Sequence, residues 1–140
     1  MHSVTPIADK PCILTLVPAS VHAGFPSPAE DHVGKPLDLN DLLVTHPQAT
    51  FMLSVAGDSM VEEGIDDRDI IVVNRAIKPR HGHIVVAILD GEFAVKKLYQ
   101  RAGRVKLLAG NPTYPPIIPG DGQSLVVWGV VTSSIKRFAI

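Results

Sequence analysis

Ile84-Val85-Val86-Ala87-Ile88-Leu89-Asp90-Gly91-Glu92-Phe93-Ala94-Val95-Lys96-Lys97-Leu98 is two short apolar runs separated by an Asp-Gly turn signal. Runs of this length, rich in β-branched residues and bounded by glycine, read as strands. The pattern extends both ways. Residues 70–73 precede it, and residues 105–108 and 125–131 follow it, each a β-branched run. Ala102-Gly103, Gly110-Asn111-Pro112 and Pro119-Gly120-Asp121-Gly122 punctuate them. Regularly spaced short strands predict a mainly β domain of short antiparallel strands, closed like a barrel or folded on itself. No internal repeat is visible.

Upstream the pattern changes. Asp38-Leu39-Asn40-Asp41-Leu42-Leu43-Val44 reads as one short helix, with Asp38 as cap, Leu39, Leu42 and Leu43 at i, i+3, i+4, and Pro47 as a stop. Pro6, Pro11, Pro18, Pro26, Pro28 and Pro36 break up residues 1–36. Each removes a backbone donor and disfavours helix in the residue before it. The expected organisation is an extended N-terminal arm over 1–36, with a short strand at 13–17, followed by a domain over 37–140.

Ser59 sits in the turn Gly57-Asp58-Ser59-Met60, directly after the apolar run Phe51-Met52-Leu53-Ser54-Val55-Ala56. A serine hydroxyl becomes a nucleophile when a base removes its proton, and a neutral lysine amine is such a base. A free lysine has a pKa of about 10.4 and is protonated at neutral pH, whereas desolvation lowers that value. In a strand of period 2, Lys96 shares its face with Ala94 and Leu98, and Lys97 shares the other with Phe93, Val95 and Tyr99. Both faces are apolar, so the pattern alone does not choose between the lysines. Bland alternatives stand beside this chemistry: strand lysines that carry their heads to solvent, and a turn serine that only bonds the backbone. An attacking hydroxyl also needs donors for the developing oxyanion, and the N–H groups around Ser59, from Gly57 and Asp58 to Met60, are the expected source. Upstream, Ala23-Gly24-Phe25-Pro26-Ser27-Pro28 offers a bond between small residues in a stretch the prolines keep out of helix.

With these residues the chain resembles the UmuD branch of the LexA-like (S24) self-cleaving Ser–Lys serine peptidases. The match runs from Ala23-Gly24-Phe25-Pro26-Ser27-Pro28 through Asp38-Leu39-Asn40, Gly57-Asp58-Ser59-Met60 and Phe93-Ala94-Val95-Lys96-Lys97-Leu98 to Trp128-Gly129-Val130-Val131. The resemblance implies a single LexA-like catalytic domain, with Ser59 as nucleophile, Lys96 rather than Lys97 as general base, and Ala23-Gly24 as the scissile bond. It implies self-cleavage stimulated by a RecA–ssDNA filament, a role in SOS mutagenesis, and a processed homodimer serving a UmuC-like Y-family polymerase subunit. Two departures stand out. The family often has Asp-Gly-Asp where this chain has Asp67-Arg68-Asp69. Arginine disfavours positive φ, so a turn of another type is expected there. An aspartate is common where His83 stands.

Composition bounds the alternatives. At 140 residues, 46% hydrophobic and 19% charged, the chain reads as one globular domain. A net charge of −1 argues against direct, specific nucleic-acid binding. The basic residues, Lys136-Arg137 among them, are expected mostly to solvate strand ends. Cys12 is the only cysteine, which excludes an intrachain disulfide and fits a reducing cytoplasm. The apolar run Cys12-Ile13-Leu14-Thr15-Leu16-Val17 is bracketed by Pro11 and Pro18, too short for a signal peptide's core, and nothing reaches the length of a membrane span. That argues against a membrane-anchored signal peptidase of similar chemistry. The proline-broken residues before the cut do not read as a helix-turn-helix, which argues against a repressor. His81-Gly82-His83 lacks further ligands at a metal-binding spacing, and Asp66, Asp67 and Asp69 read as a turn rather than a calcium loop. No cofactor or metal is expected.

Overall fold

A computed structural model describes residues 10–18, 20–21, 23–24, 34–120 and 123–140. Much of the expected N-terminal arm therefore lies outside the described residues. The chain divides into two compact units, Ala8–Thr45 and a second that contains His46–Ile140.

In the first unit, β1 (Ile13–Leu16) pairs antiparallel with β2 (Lys35–Asp38). The predicted helix is present as α1, Leu39–Leu43, and Asp38 caps it. The Asp38 carboxylate accepts from the N–H groups of Asn40 and Cys12, both at 3.0 Å, so one side chain caps the helix and ties it to the start of β1. β2 was not predicted. Pro36 lies within it, opposite Thr15, and proline is tolerated in a two-stranded ribbon because each strand has an open edge.

The second unit contains β3 (Thr50–Ser54), β4 (Ile70–Asn74), β5 (Ile84–Leu89), β6 (Glu92–Arg101), β7 (Arg104–Leu108) and β8 (Leu125–Ile135). They form one sheet in the order β3-β4-β8-β5-β6-β7, with every neighbouring pair antiparallel. β8 therefore enters the middle of the sheet although it comes last in the chain. Both faces are covered there. Met60, Ile65, Ile71, Val73 and Val86 make one buried cluster, and Val85, Ala87, Leu98, Leu107 and Val130 make another. Val85 and Val86 fall in different clusters, as the two-residue repeat of a strand requires. Register shifts at Val72/Val73 and Val86/Ala87 mark irregularities on both sides of β8. Such irregularities bend a strand and increase its twist.

β6 and β8 run beyond the apolar runs that announce them. β8 continues through Thr132, Ser133 and Ser134 because Ser133 and Ser134 pair with Val72 and Ile71 of β4, where main-chain bonding outweighs side-chain polarity. Trp128 of β8 lies between Phe51 of β3 and Phe93 of β6, with ring centroids 5.5 and 5.4 Å away.

One expectation is corrected, and one basic residue departs from the general expectation for its kind. Arg68 does adopt positive φ, at 71°, despite the arginine. The β3–β4 connection dictates it: Arg68 N–H donates to Val55 O and Val55 N–H to Asp69 O, both at 2.8 Å. Lys136 is not a merely solvated strand end. Its ammonium lies 2.7 Å from both Asp66 Oδ2 and Asp69 Oδ1. Asp69 is nearly fully buried; the Asp66 N–H first, and then Lys136, hold its carboxyl below the usual range.

Candidate active site

β3 ends in the turn that carries Ser59. Gly57 takes φ +97°, a conformation that only glycine adopts without strain. Met60, 1% exposed, drops into the core and fixes the far side of the turn. The Gly57 N–H donates to Asp67 Oδ1 at 2.7 Å. This N–H is thus engaged, while those of Asp58, Ser59 and Met60 have no acceptor among the described residues.

A second loop holds the turn from outside. Ser59 O accepts from the Gly110 N–H at 2.7 Å, and Asp58 O accepts from Asn111 Nδ2 at 3.0 Å. The Asp58 carboxylate accepts from Tyr114 OH at 2.7 Å. Sequence reasoning treated Gly110-Asn111-Pro112 as a turn signal and missed Tyr114 and Asp67 as partners of the Ser59 turn. Contacts between loops so far apart in sequence leave no periodic trace.

Lys96 Nζ lies 3.1 Å from Ser59 Oγ. The two side chains come from β6 and from the turn after β3, 37 residues apart. Burial holds the Lys96 pKa below its ordinary value. No carboxylate pairs with it among the described residues. Its neighbour Lys97 instead meets Glu63 Oε1 at 3.1 Å. The structure thus separates the two lysines that the strand pattern left equivalent: one faces a hydroxyl, the other a carboxylate.

These groups are in the lining of a cleft of about 730 Å³. Residues 52–56 form one wall and residues 93–96 the other, with Met60, Ile71 and Val86 between them. Among the described residues both walls are open strand edges: β3 pairs there only with β4, and β7 begins to pair with β6 only at Lys97. Unpaired main-chain groups along two such edges can take up an extended chain as an added strand. Ala23 and Gly24 are both exposed, and a Cβ placed on Gly24 would meet nothing within 4 Å.

The histidines have other partners. His81 Nδ1 accepts from the Gln100 N–H at 3.0 Å and His83 Nδ1 from the Arg80 N–H at 3.1 Å. Among the described residues no cluster of three or more His, Cys, Asp or Glu could hold a metal ion. No helix there is long and apolar enough to cross a membrane.

The S24-like peptidase family model matches residues 15–132. Protein SamA of Salmonella typhimurium is 47% identical over 115 residues, covering 82% of this chain and 79% of SamA. Protein ImpA of Escherichia coli is 39% identical over 133 residues, covering 94% of this chain and 90% of ImpA. The LexA repressor of Syntrophotalea carbinolica is 37% identical over 113 residues, covering 75% of this chain and 56% of that protein. With a mainly β antiparallel sheet and a family match across most of its length, the chain belongs to the S24-like peptidases.

Proposed function

We propose that this protein is a self-processing serine endopeptidase of the SOS response that cuts its own Ala23-Gly24 bond, with Ser59 as nucleophile and Lys96 as general base. One observation carries the reading: a partly buried amine, with no carboxylate partner among the described residues, lies 3.1 Å from a turn hydroxyl in the lining of a cleft. In this reading residues 1–36 are the substrate arm and 37–140 the peptidase domain. Cutting requires the Ala23-Gly24 bond to reach Ser59, and a cleft with such edges can take an extended chain as an added strand. Ser59 Oγ attacks the Ala23 carbonyl carbon while neutral Lys96 takes the hydroxyl proton. The free N–H groups of the turn hold the oxyanion. Collapse breaks the C–N bond, and the Lys96 ammonium gives its proton to the departing Gly24 amine. Water, deprotonated by Lys96, then releases residues 1–23 with a new carboxylate and returns the proton to Ser59.

The reading continues to the product. Residues 24–140 form a homodimer that serves a Y-family translesion polymerase subunit, and a RecA–ssDNA filament stimulates the cut. The protein acts in the cytoplasm, in keeping with its single, free cysteine. Removing an arm that competes for a surface changes which partner binds without changing the fold.

The test has two stages. Purified protein is incubated with and without RecA–ssDNA, and the products are weighed by mass spectrometry; a product beginning at Gly24, absent from Ser59→Ala, is expected. The 24–140 product and full-length Ser59→Ala are then titrated against the polymerase subunit. Cutting elsewhere overturns the Ala23-Gly24 assignment, and no cutting, or cutting by Ser59→Ala, overturns the peptidase assignment. Equal affinity of the two forms overturns the switch.

A further inference from the structure

We infer that Tyr114 is a positioning residue for the chemistry at Ser59, acting through the Asp58 carboxylate and shielding Lys96; the inference rests on the Ser59–Lys96 reading above. Ser59 is useful only if its hydroxyl stays aimed at Lys96. The turn is short and its outer face is open, so something outside must fix it. The loop at 110–114 does this with three bonds into two consecutive residues: Gly110 N–H to Ser59 O, Asn111 Nδ2 to Asp58 O, and Tyr114 OH to Asp58 Oδ1. A return bond runs from Glu62 N–H to Gly110 O at 2.7 Å. The approach is so close that a Cβ on Gly110 would lie 2.7 Å from Glu63 Cγ and 3.2 Å from Met60 Cα. The loop is itself braced. Asn111 Oδ1 accepts from the Thr113 N–H, and Asn111 O from the Tyr114 N–H, both at 3.0 Å.

Tyr114 is the one member of this latch that also reaches the amine. Its ring centroid lies 5.7 Å from Lys96 Nζ. At that range, close to the roughly 6 Å limit of a cation–π contact, attraction for the ammonium is weak. Although Tyr114 is 43% exposed, a ring at that distance takes up space that water would fill beside the amine, and burial is what lowers the Lys96 pKa. The bond to Asp58 pushes the Tyr114 phenol pKa up, so its proton stays on the donor. Among the described residues the ionisable groups around Lys96 are Tyr114, Asp58 behind it, and the Lys97–Glu63 pair on the next residue.

The experiment follows unstimulated self-cleavage of the full chain in Tyr114→Phe, Tyr114→Ala, Asp58→Asn, Asp58→Ala and the double variant Asp58→Ala/Tyr114→Phe, with thermal melts alongside. Tyr114→Phe removes only the hydroxyl. It is expected to slow cleavage about tenfold with an unchanged melting temperature, the loss of one charge-assisted bond. Asp58→Asn keeps an acceptor for Tyr114 and is expected to stay within about threefold of the parent rate. The double variant should cut no more slowly than Asp58→Ala alone, because both changes remove one bond. Tyr114→Ala lets water onto Lys96, so the rising limb of its pH–rate profile moves to higher pH, while that of Tyr114→Phe stays in place. A full-speed Tyr114→Phe, or multiplying losses in the double variant, overturns the latch. An unmoved profile in Tyr114→Ala overturns the shielding. Cutting by Ser59→Ala overturns the Ser59–Lys96 reading and this inference with it. A silent Ser59→Ala beside a full-speed Tyr114→Phe overturns this inference alone.

Discussion

Asp67 Oδ1 accepts the Gly57 N–H at 2.7 Å, joining the turn that closes β3 onto β4 to the turn that carries Ser59. The bond occupies the first N–H of the Gly57-Asp58-Ser59-Met60 segment and leaves the next ones open. Asp67→Ala should slow self-cleavage roughly tenfold by loosening this end of the turn, since small misplacements of reacting groups are costly. Asp67→Asn keeps an acceptor and should restore most of the rate. Timed gel assays on the two variants check this, and equal rates for both and the parent would contradict it.

Ser59→Ala and Lys96→Ala should each abolish cleavage while leaving the melting temperature close to that of the parent. Residues that act as one unit do not contribute in shares, so the double variant should be no worse than either single one. Lys97→Ala should still cut. It loses a partly exposed ion pair with Glu63, worth less than about 1 kcal/mol.

Unstimulated cleavage should speed up as pH rises from neutral and then level off. Under the proposed reading the reactive base is neutral Lys96; burial lowers its pKa from the ordinary 10.5, so the reactive fraction grows through that lowered value. Stability follows the same sign. Between the folded and unfolded pKa values of Lys96 the unfolded chain binds more protons, so this group favours folding more as pH rises. Rates and melts from pH 6 to 10 on one preparation test both. A steady fall in rate with the fold intact would point to another base.

Arg68 sits at φ +71°, where a residue with a Cβ is strained by about 1–2 kcal/mol. Arg68→Gly relieves that strain, but it loosens the unfolded chain by about 0.4–1 kcal/mol. The net expectation is a gain of between about 0 and 1.6 kcal/mol, read by urea denaturation. A loss of stability would mean that the Arg68 side chain contributes more than its surface position implies.

The strands and α1 were legible because they write themselves as local periodicity: 84–89 was bounded correctly, and Asp38 was read as the cap it is. β2 escaped because Pro36 reads as a breaker, and only its partner β1 makes it a strand. The Ser59 and Lys96 side chains were singled out from residue types and resemblance, but strand pattern could not separate Lys96 from Lys97. That difference lies in Glu63, 34 residues from Lys97, which takes one lysine and leaves the other to Ser59. Asp67, Asp69, Lys136 and Tyr114 stayed hidden for the same reason. Their roles are fixed by partners across the fold, and nothing local distinguishes them from ordinary surface residues.

Among the described residues the cleft beside Ser59 is walled by two strand edges with the apolar Met60, Ile71 and Val86 between them, so it offers a substrate main-chain bonding and undirected apolar contact. Main-chain bonding grips every sequence alike, and in water each such bond adds only about 1 kcal/mol. An enzyme with such a site gains little from recognition. It gains from delivery: a segment on the same chain arrives at an effective concentration of the order of millimolar, whereas a free peptide must supply that concentration itself. Under the proposed reading, the tether takes the place of a specificity pocket, and presentation of the arm rather than its exact side chains sets when the bond breaks.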